Sequence, residues 1–228
     1  MVEKVFKRFS EAVDGGDVVI GGVKWHDRNG LPPGLAHPDR LVVPGLASDA
    51  DAFRAALGDR PLLLEVGPGK GRFANSLAAL RPDAVVLAAE TRLGFCLRTL
   101  QRSGKAGTTN LWAAWGDARV TVPVLVPPGR ATEAYLLFPD PWWKRAHANR
   151  RHGPAMAAVF AAALAPGGRL VVKSDVSEYL ESIVDTFRES GRFDPGDVPT
   201  GLPLTDREKR LSESGTKTFA AALTRRYD

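Results

Sequence analysis

Cysteine occurs once in the 228 residues, at Cys96, so neither a disulfide framework nor a cysteine-based zinc site can form within one chain. The four histidines are scattered, and no metal site is implied. No apolar stretch approaches the ~20 residues that span a bilayer. The opening Met1-Val2-Glu3-Lys4-Val5-Phe6-Lys7-Arg8 also lacks the apolar core of a secretion signal. These absences predict a cytoplasmic protein with no membrane partner. There is no internal repeat and no low-complexity tract.

What is present suits a folded globular protein. Hydrophobic residues make up 44% of the chain and charged residues 25%, enough for one α/β domain with a real core. The net charge of +5 is modest, and on its own it says no more than solubility. Its clustering says more. Lys144, Arg145, Arg150 and Arg151 form one group, Arg207, Lys209 and Arg210 a second, and Arg225 with Arg226 a third. Such patches are the footprint expected of a phosphate-bearing partner.

Residues 1–45 are rich in Gly, Pro and Asp with weak periodicity, and they read as an irregular or mobile arm in which Val18-Val19-Ile20 is a candidate strand. The rest, 46–228, reads as one domain. Ser48 is expected to cap a first helix carrying Ala52, Phe53, Ala56 and Leu57. From residue 61, strands and helices alternate. Leu62–Val66 is a buried-strand run, followed by a helix with Phe73, Leu77 and Leu80 facing inward. Ala84–Ala89 is the second strand, and its helix sets Leu93, Cys96, Leu97 and Leu100 on one face, which makes Cys96 a core residue rather than a nucleophile. Strands near 111–114, 134–138 and 169–173 come next, then a polar stretch from 192 to 214 and a last strand around 218–223. Repeated βα units imply a mostly parallel twisted sheet with helices on both faces.

Four acids fall at consecutive strand ends: Glu65, Glu90, Asp117 and Asp140. Any one of them could be a helix cap. All four on one sheet edge point to a ligand crevice, because open α/β sheets bind at the carboxyl ends of their strands. Gly67, Gly69 and Gly71 come directly after the first strand, where missing side chains allow a tight turn and close approach of a ligand. The dinucleotide fingerprint would need a glycine at position 72, which is Arg72. So many carboxylates would also serve a diphosphate poorly.

The densest chemistry lies in Phe138-Pro139-Asp140-Pro141-Trp142-Trp143-Lys144, with Arg145, His147, Arg150, Arg151 and His152 close behind. Pro139 and Pro141 stop the strand and stiffen the loop, holding Asp140 just past the strand's end. Trp142 and Trp143 supply surfaces for stacking on a base, and the cations suit phosphates.

The Glu-x-Gly-x-Gly-x-Gly spacing resembles motif I of class I S-adenosylmethionine-dependent methyltransferases. With the Asp140 loop added, residues 60–226 resemble the bacterial tRNA (guanine-N7-)-methyltransferases. That resemblance implies a Rossmann-like class I methyltransferase fold and S-adenosylmethionine as cofactor. Its partner would be tRNA, with guanine N7 of guanosine 46 as target. It places Glu65, Gly67, Gly69, Gly71, Glu90, Asp117 and Asp140 at the cofactor, with Glu90 on the ribose hydroxyls, Asp117 on the adenine side and Asp140 also catalytic. Lys144, Arg145, Arg150, Arg151 and Asp175, with the Thr205, Glu208 and Arg210 of a late Thr-x-x-Glu-x-Arg element, fall on the substrate side. The chain departs from the family pattern at Trp143, at Arg207 and at Thr91-Arg92. A methyltransferase of exocyclic amines and a tRNA-binding relative without catalysis are the alternatives, and monomer and homodimer both stay open.

Overall fold

The computed structural model describes residues 11–14, 17–20, 23–25, 38–43, 47–140 and 153–227. In the N-terminal segment, β1 (Glu11–Asp14), β2 (Asp17–Ile20) and β3 (Val23–Trp25) form a three-stranded antiparallel sheet. The main body is an eight-stranded sheet. Its strands are β4 (Leu41–Val42), β5 (Leu62–Val66), β6 (Val85–Glu90), β7 (Leu111–Trp115), β8 (Ala131–Leu137), β9 (Leu164–Ser174), β10 (Phe193–Gly196) and β11 (Phe219–Arg225). Across the sheet they run in the order β10-β11-β9-β8-β5-β6-β7-β4. All pairs are parallel except those that β11 makes with β9 and β10. The helices are α1 (Ala47–Leu57), α2 (Arg72–Leu80), α3 (Leu93–Ala106), α4 (Ala118–Leu125), α5 (Pro154–Ala163), α6 (Ser177–Glu189) and α7 (Asp206–Glu213).

The strand order reverses between β5 and β8, because the chain first builds outward through β6 and β7 and then returns to the other side of β5. That reversal opens a crevice at the carboxyl ends of β5 and β8. Strand β5 is buried along its whole length, as expected of a central strand covered on both faces. Leu62, Leu64 and Val66 join the larger core, which takes in residues of α1, α4, α5 and α6. Leu63 packs on the opposite side with Phe73, Leu77 and Tyr135.

Several expectations need correction. Ser48 lies inside the first turn of α1 rather than before it. The anchoring carboxylate there is Asp49, buried and accepting from the Val43 amide at 3.1 Å. Leu80 is 63% exposed, because the buried stripe of α2 runs through Phe73, Ala74, Leu77 and Ala78. The polar stretch 192–214 contains an edge strand, β10, and a helix, α7. Cys96 is fully buried, as its place on the apolar face of α3 predicts, and burial pushes its thiol pKa up.

The main sheet begins before residue 46, since Leu41–Val42 pairs with Ala113–Ala114 of β7. Among the described residues, no helix is long and apolar enough to cross a membrane.

Candidate active site

Glu65 is the one polar side chain in β5, 2% exposed, and its Oε2 has no hydrogen-bond partner. Leaving a carboxylate oxygen buried and unpaired is costly, so the site that retains it is a candidate for a ligand donor. Burial pushes its pKa up to about 8. The Ala74 amide pulls the other way, and the nearby charge of Glu90 adds to the rise.

The turn after β5 approaches a cleft of about 630 Å³, a size that suits a nucleoside-bearing ligand. Gly67 and Gly69 line it with positive φ (+75° and +56°), and a Cβ on either would meet nothing within 4 Å. Their backbone faces open space. Gly71 is different. It lies away from the cleft, and a Cβ there would stand 2.3 Å from Thr99 Oγ1. The third glycine therefore lets α2 start hard against α3, a packing reason for glycine at this position.

Glu90, at the end of β6, is buried but does not line the cleft. Its Oε2 accepts from the Gly69 amide at 3.2 Å, while Oε1 accepts from Thr91 Oγ1 at 3.1 Å and the Arg92 amide at 3.0 Å. A carboxylate has about four acceptor sites, so one remains on Oε2. Asp117 also stands outside the cleft. Its carboxylate caps α4 by accepting from the Arg119 amide at 2.9 Å, and it pairs with the Arg119 guanidinium. That geometry is the geometry of a helix cap.

On the other side of the crevice, β8 is followed by Phe138, whose φ of +53° is unusual for a bulky residue. Its amide donates to the Lys173 carbonyl at 2.8 Å. The forced turn carries Pro139 and Asp140 into the cleft wall, with Asp140 exposed. The expected stacking and phosphate-binding residues Trp142, Trp143, Lys144, Arg145, His147, Arg150, Arg151 and His152 lie outside the described residues.

The far wall comes from α7 and the residue before it. Thr205 and Glu208 form a capping box: Thr205 Oγ1 accepts from the Glu208 amide at 2.9 Å, and Glu208 Oε2 from the Thr205 amide at 2.8 Å. Glu208 Oε1 takes the Lys173 ammonium at 2.6 Å, a pair that is almost wholly buried. Both oxygens of Glu208 are thus engaged within the chain, and it does not line the cleft. The substrate-side place that the resemblance implies for Glu208 is thus one behind the wall of the cleft rather than on it. Arg207, Lys209 and Arg210 do line the cleft, as does Asp175, which is ion-paired with Arg207. The cleft therefore has an acidic edge on the sheet and a helix wall on which three cations, Arg207, Lys209 and Arg210, outnumber Asp206 and Glu213.

Known proteins share both the sequence and the fold. A family model described as "Putative methyltransferase" matches residues 59–221. A tRNA (guanine-N(7)-)-methyltransferase of Myxococcus xanthus is 38% identical over 72% of this chain and 82% of its own length. One of Anaeromyxobacter dehalogenans is 34% identical over 82% of this chain and 96% of its own. The chain belongs to the tRNA (guanine-N(7)-)-methyltransferase family. Among solved structures, the 16S rRNA methyltransferase KamB matches with a TM-score of 0.59 and 19% identity, covering 80% of this chain and 94% of that one. A mutant 16S rRNA (adenine(1408)-N(1))-methyltransferase from Catenulisporales acidiphilia, solved with cosubstrate SAM, matches with the same score and identity, covering 78% and 92%. These two establish the fold, a Rossmann-like class I methyltransferase fold.

In this tRNA (guanine-N(7)-)-methyltransferase family member, sequence reasoning missed Asp206, which pairs with both Arg72 and Arg102, and Lys173, the partner of Glu208. The Thr-x-x-Glu spacing was itself a readable capping-box signature. A lysine inside an otherwise apolar strand run was the matching signal for Glu208.

Proposed function

We propose that the chain transfers a methyl group from S-adenosylmethionine to N7 of guanosine in tRNA, at guanosine 46 of the variable loop. The observation that carries this reading is Glu65. Glu65, whose buried carboxylate carries an unpaired oxygen, lines the same cleft as Gly67, Gly69 and Asp140, with a mainly basic wall opposite. These residues fit the cofactor. Glu65 would receive the α-ammonium, and the open backbone at Gly67 and Gly69 would lie along the rest of the amino-acid moiety. The remaining acceptor site of Glu90 would take a ribose hydroxyl. S-adenosylmethionine, when bound, supplies an electrophilic methyl group on a sulfonium.

Guanine N7 carries its own lone pair, so no base has to remove a proton before attack. The protein's work is alignment of two reactants, together with stabilisation of the positive charge that develops on the base. Asp140 is the carboxylate placed for that charge, and Arg207, Lys209 and Arg210 suit RNA phosphates. Such an enzyme would act where tRNA is, in the cytoplasm. Labelled donor should modify an unmodified tRNA transcript but not one whose guanosine 46 is replaced by adenosine. Equal labelling of the two would contradict the assigned position.

Two expected results concern the cofactor. Glu90→Ala should weaken S-adenosylmethionine binding about ten- to a hundredfold, because a ribose hydroxyl loses its acceptor and the Gly69 amide its anchor. Unchanged affinity by calorimetry in a folded variant would defeat the assignment.

The second comes from Glu65. In the free protein its carboxyl stays protonated until about pH 8, whereas an unfolded chain gives up that proton near its ordinary value of 4.5. Between these values the native state holds the extra proton, so Glu65's contribution to stability falls as pH rises. A cation seated beside it lowers its pKa and expels the proton. At a pH midway through that window, donor binding should therefore release close to one proton, and Glu65→Gln should abolish the release. Calorimetry in buffers of different ionisation enthalpy measures this, and zero release in the wild type would contradict it.

A further inference from the structure

Three consecutive residues of α7 each make an ion pair in a different direction. Asp206 Oδ1 accepts from Arg72 Nε at 2.7 Å, at the first residue of α2, and Oδ2 accepts from Arg102 Nη1 at 2.9 Å, on α3. Arg207 reaches Asp175 just past the end of β9. Glu208 turns inward to Lys173. The Asp206 and Arg207 pairs are partly exposed, and the Glu208 pair is buried. Burial raises the pKa of Asp206, but the guanidiniums of Arg72 and Arg102 outweigh it and hold that carboxyl below its ordinary value.

The division of labour comes from burial. The Glu208–Lys173 pair fastens α7 to the sheet, and the capping box closes its first turn; neither involves the Asp206 side chain. What Asp206 adds is a tie from the start of α7 to the two helices beside the glycine turn.

We infer that Asp206 is a positioning residue for methyl transfer: its clasp on Arg72 and Arg102 sets the spacing between the basic face of α7 and the edge formed by Glu65 and Asp140. This rests on the reading of the cleft as an RNA-methylating site. The reaction needs N7 and the methyl carbon in line at contact distance, and a misplacement of about 1 Å costs on the order of a hundredfold in rate. Yet the clasp is not a source of RNA affinity. Asp206 is itself an anion on a basic wall, and removing its charge leaves two guanidiniums unpaired beside the cleft. Neutralising it should preserve or strengthen RNA binding, which grows with the number of phosphates that cations neutralise.

The test is Asp206→Asn, compared with wild type in single-turnover methylation of an unmodified tRNA transcript at saturating enzyme. RNA affinity, S-adenosylmethionine affinity and thermal stability are measured alongside. The expected result is a rate lower by about ten- to a hundredfold. RNA binding should be unchanged or tighter, the fold intact, and part of the rate restored in Asp206→Glu. A wild-type rate in the asparagine variant would overturn the inference, as would a rate that falls only in step with RNA affinity or folded fraction. The wild-type control separates the two layers: if wild type labels no tRNA, the methylation reading itself fails, whatever Asp206 does.

Discussion

Asp140→Asn is expected to lower the single-turnover rate of methyl transfer by ~100- to 1,000-fold, the usual cost of losing one electrostatic stabiliser of a transition state. Asparagine keeps the shape of the side chain and much of its hydrogen bonding, but not its charge. The charge matters because methylation turns a neutral guanine into a cation. Asp140 lines the cleft while remaining exposed, carried there by the φ of +53° at Phe138 and by Pro139. S-adenosylmethionine affinity should change little, since Glu65 and the glycine turn are untouched. A variant that methylates N7 at the wild-type rate would reduce Asp140 to a structural part of its loop.

Glu208→Ala is expected to destabilise the protein by about 3–5 kcal/mol, the range found when one partner of a buried ion pair is removed and the other is left uncompensated. The partner is Lys173, whose ammonium lies 2.6 Å from Glu208 Oε1 under α7. Loss of the capping box adds to the cost. Urea denaturation would show a lower midpoint. The double variant Glu208→Leu/Lys173→Met should recover much of the stability, because apolar replacement of both partners strands no charge. If Glu208→Ala were as stable as wild type and defective only in RNA binding, Glu208 would return to the substrate side.

The central fold was legible because β5, β6 and the 134–137 half of β8 are buried and mostly apolar. Glycine and proline punctuated them clearly. The edges were not legible. Strand β10 is the four residues Phe193–Gly196, with a proline inside and no alternation to read. Strand β4 is two residues long, and only its pairing with β7 makes it a strand. Helix α7 is polar nearly throughout and buries Glu208 and Leu211. Its hold on the sheet and on the neighbouring helices comes from ion pairs between residues 32 or more positions apart, which local pattern does not reveal.

The site divides in the same way. Glu65, Gly67, Gly69, Asp140, Asp175, Thr205 and Arg210 meet at one cleft, as the strand-end positions and the late motif suggested. Glu90 is one hydrogen bond away, through Gly69. Gly71, Asp117 and Glu208 carried equally suggestive spacing and stand outside that cleft, at a helix contact, a helix cap and an ion pair under α7. Spacing identifies residues that a fold cannot easily change. It does not distinguish those that touch a ligand from those that shape its surroundings.

The central claim, methyl transfer to guanine N7 of tRNA, is tested most directly by the identity of the modified nucleoside. Purified protein is incubated with an unmodified tRNA transcript and methyl-labelled S-adenosylmethionine, and the RNA is digested to nucleosides and resolved by mass spectrometry. The account predicts that the label appears in 7-methylguanosine. Label on an exocyclic amine, or donor binding with no label transferred to tRNA, would contradict it.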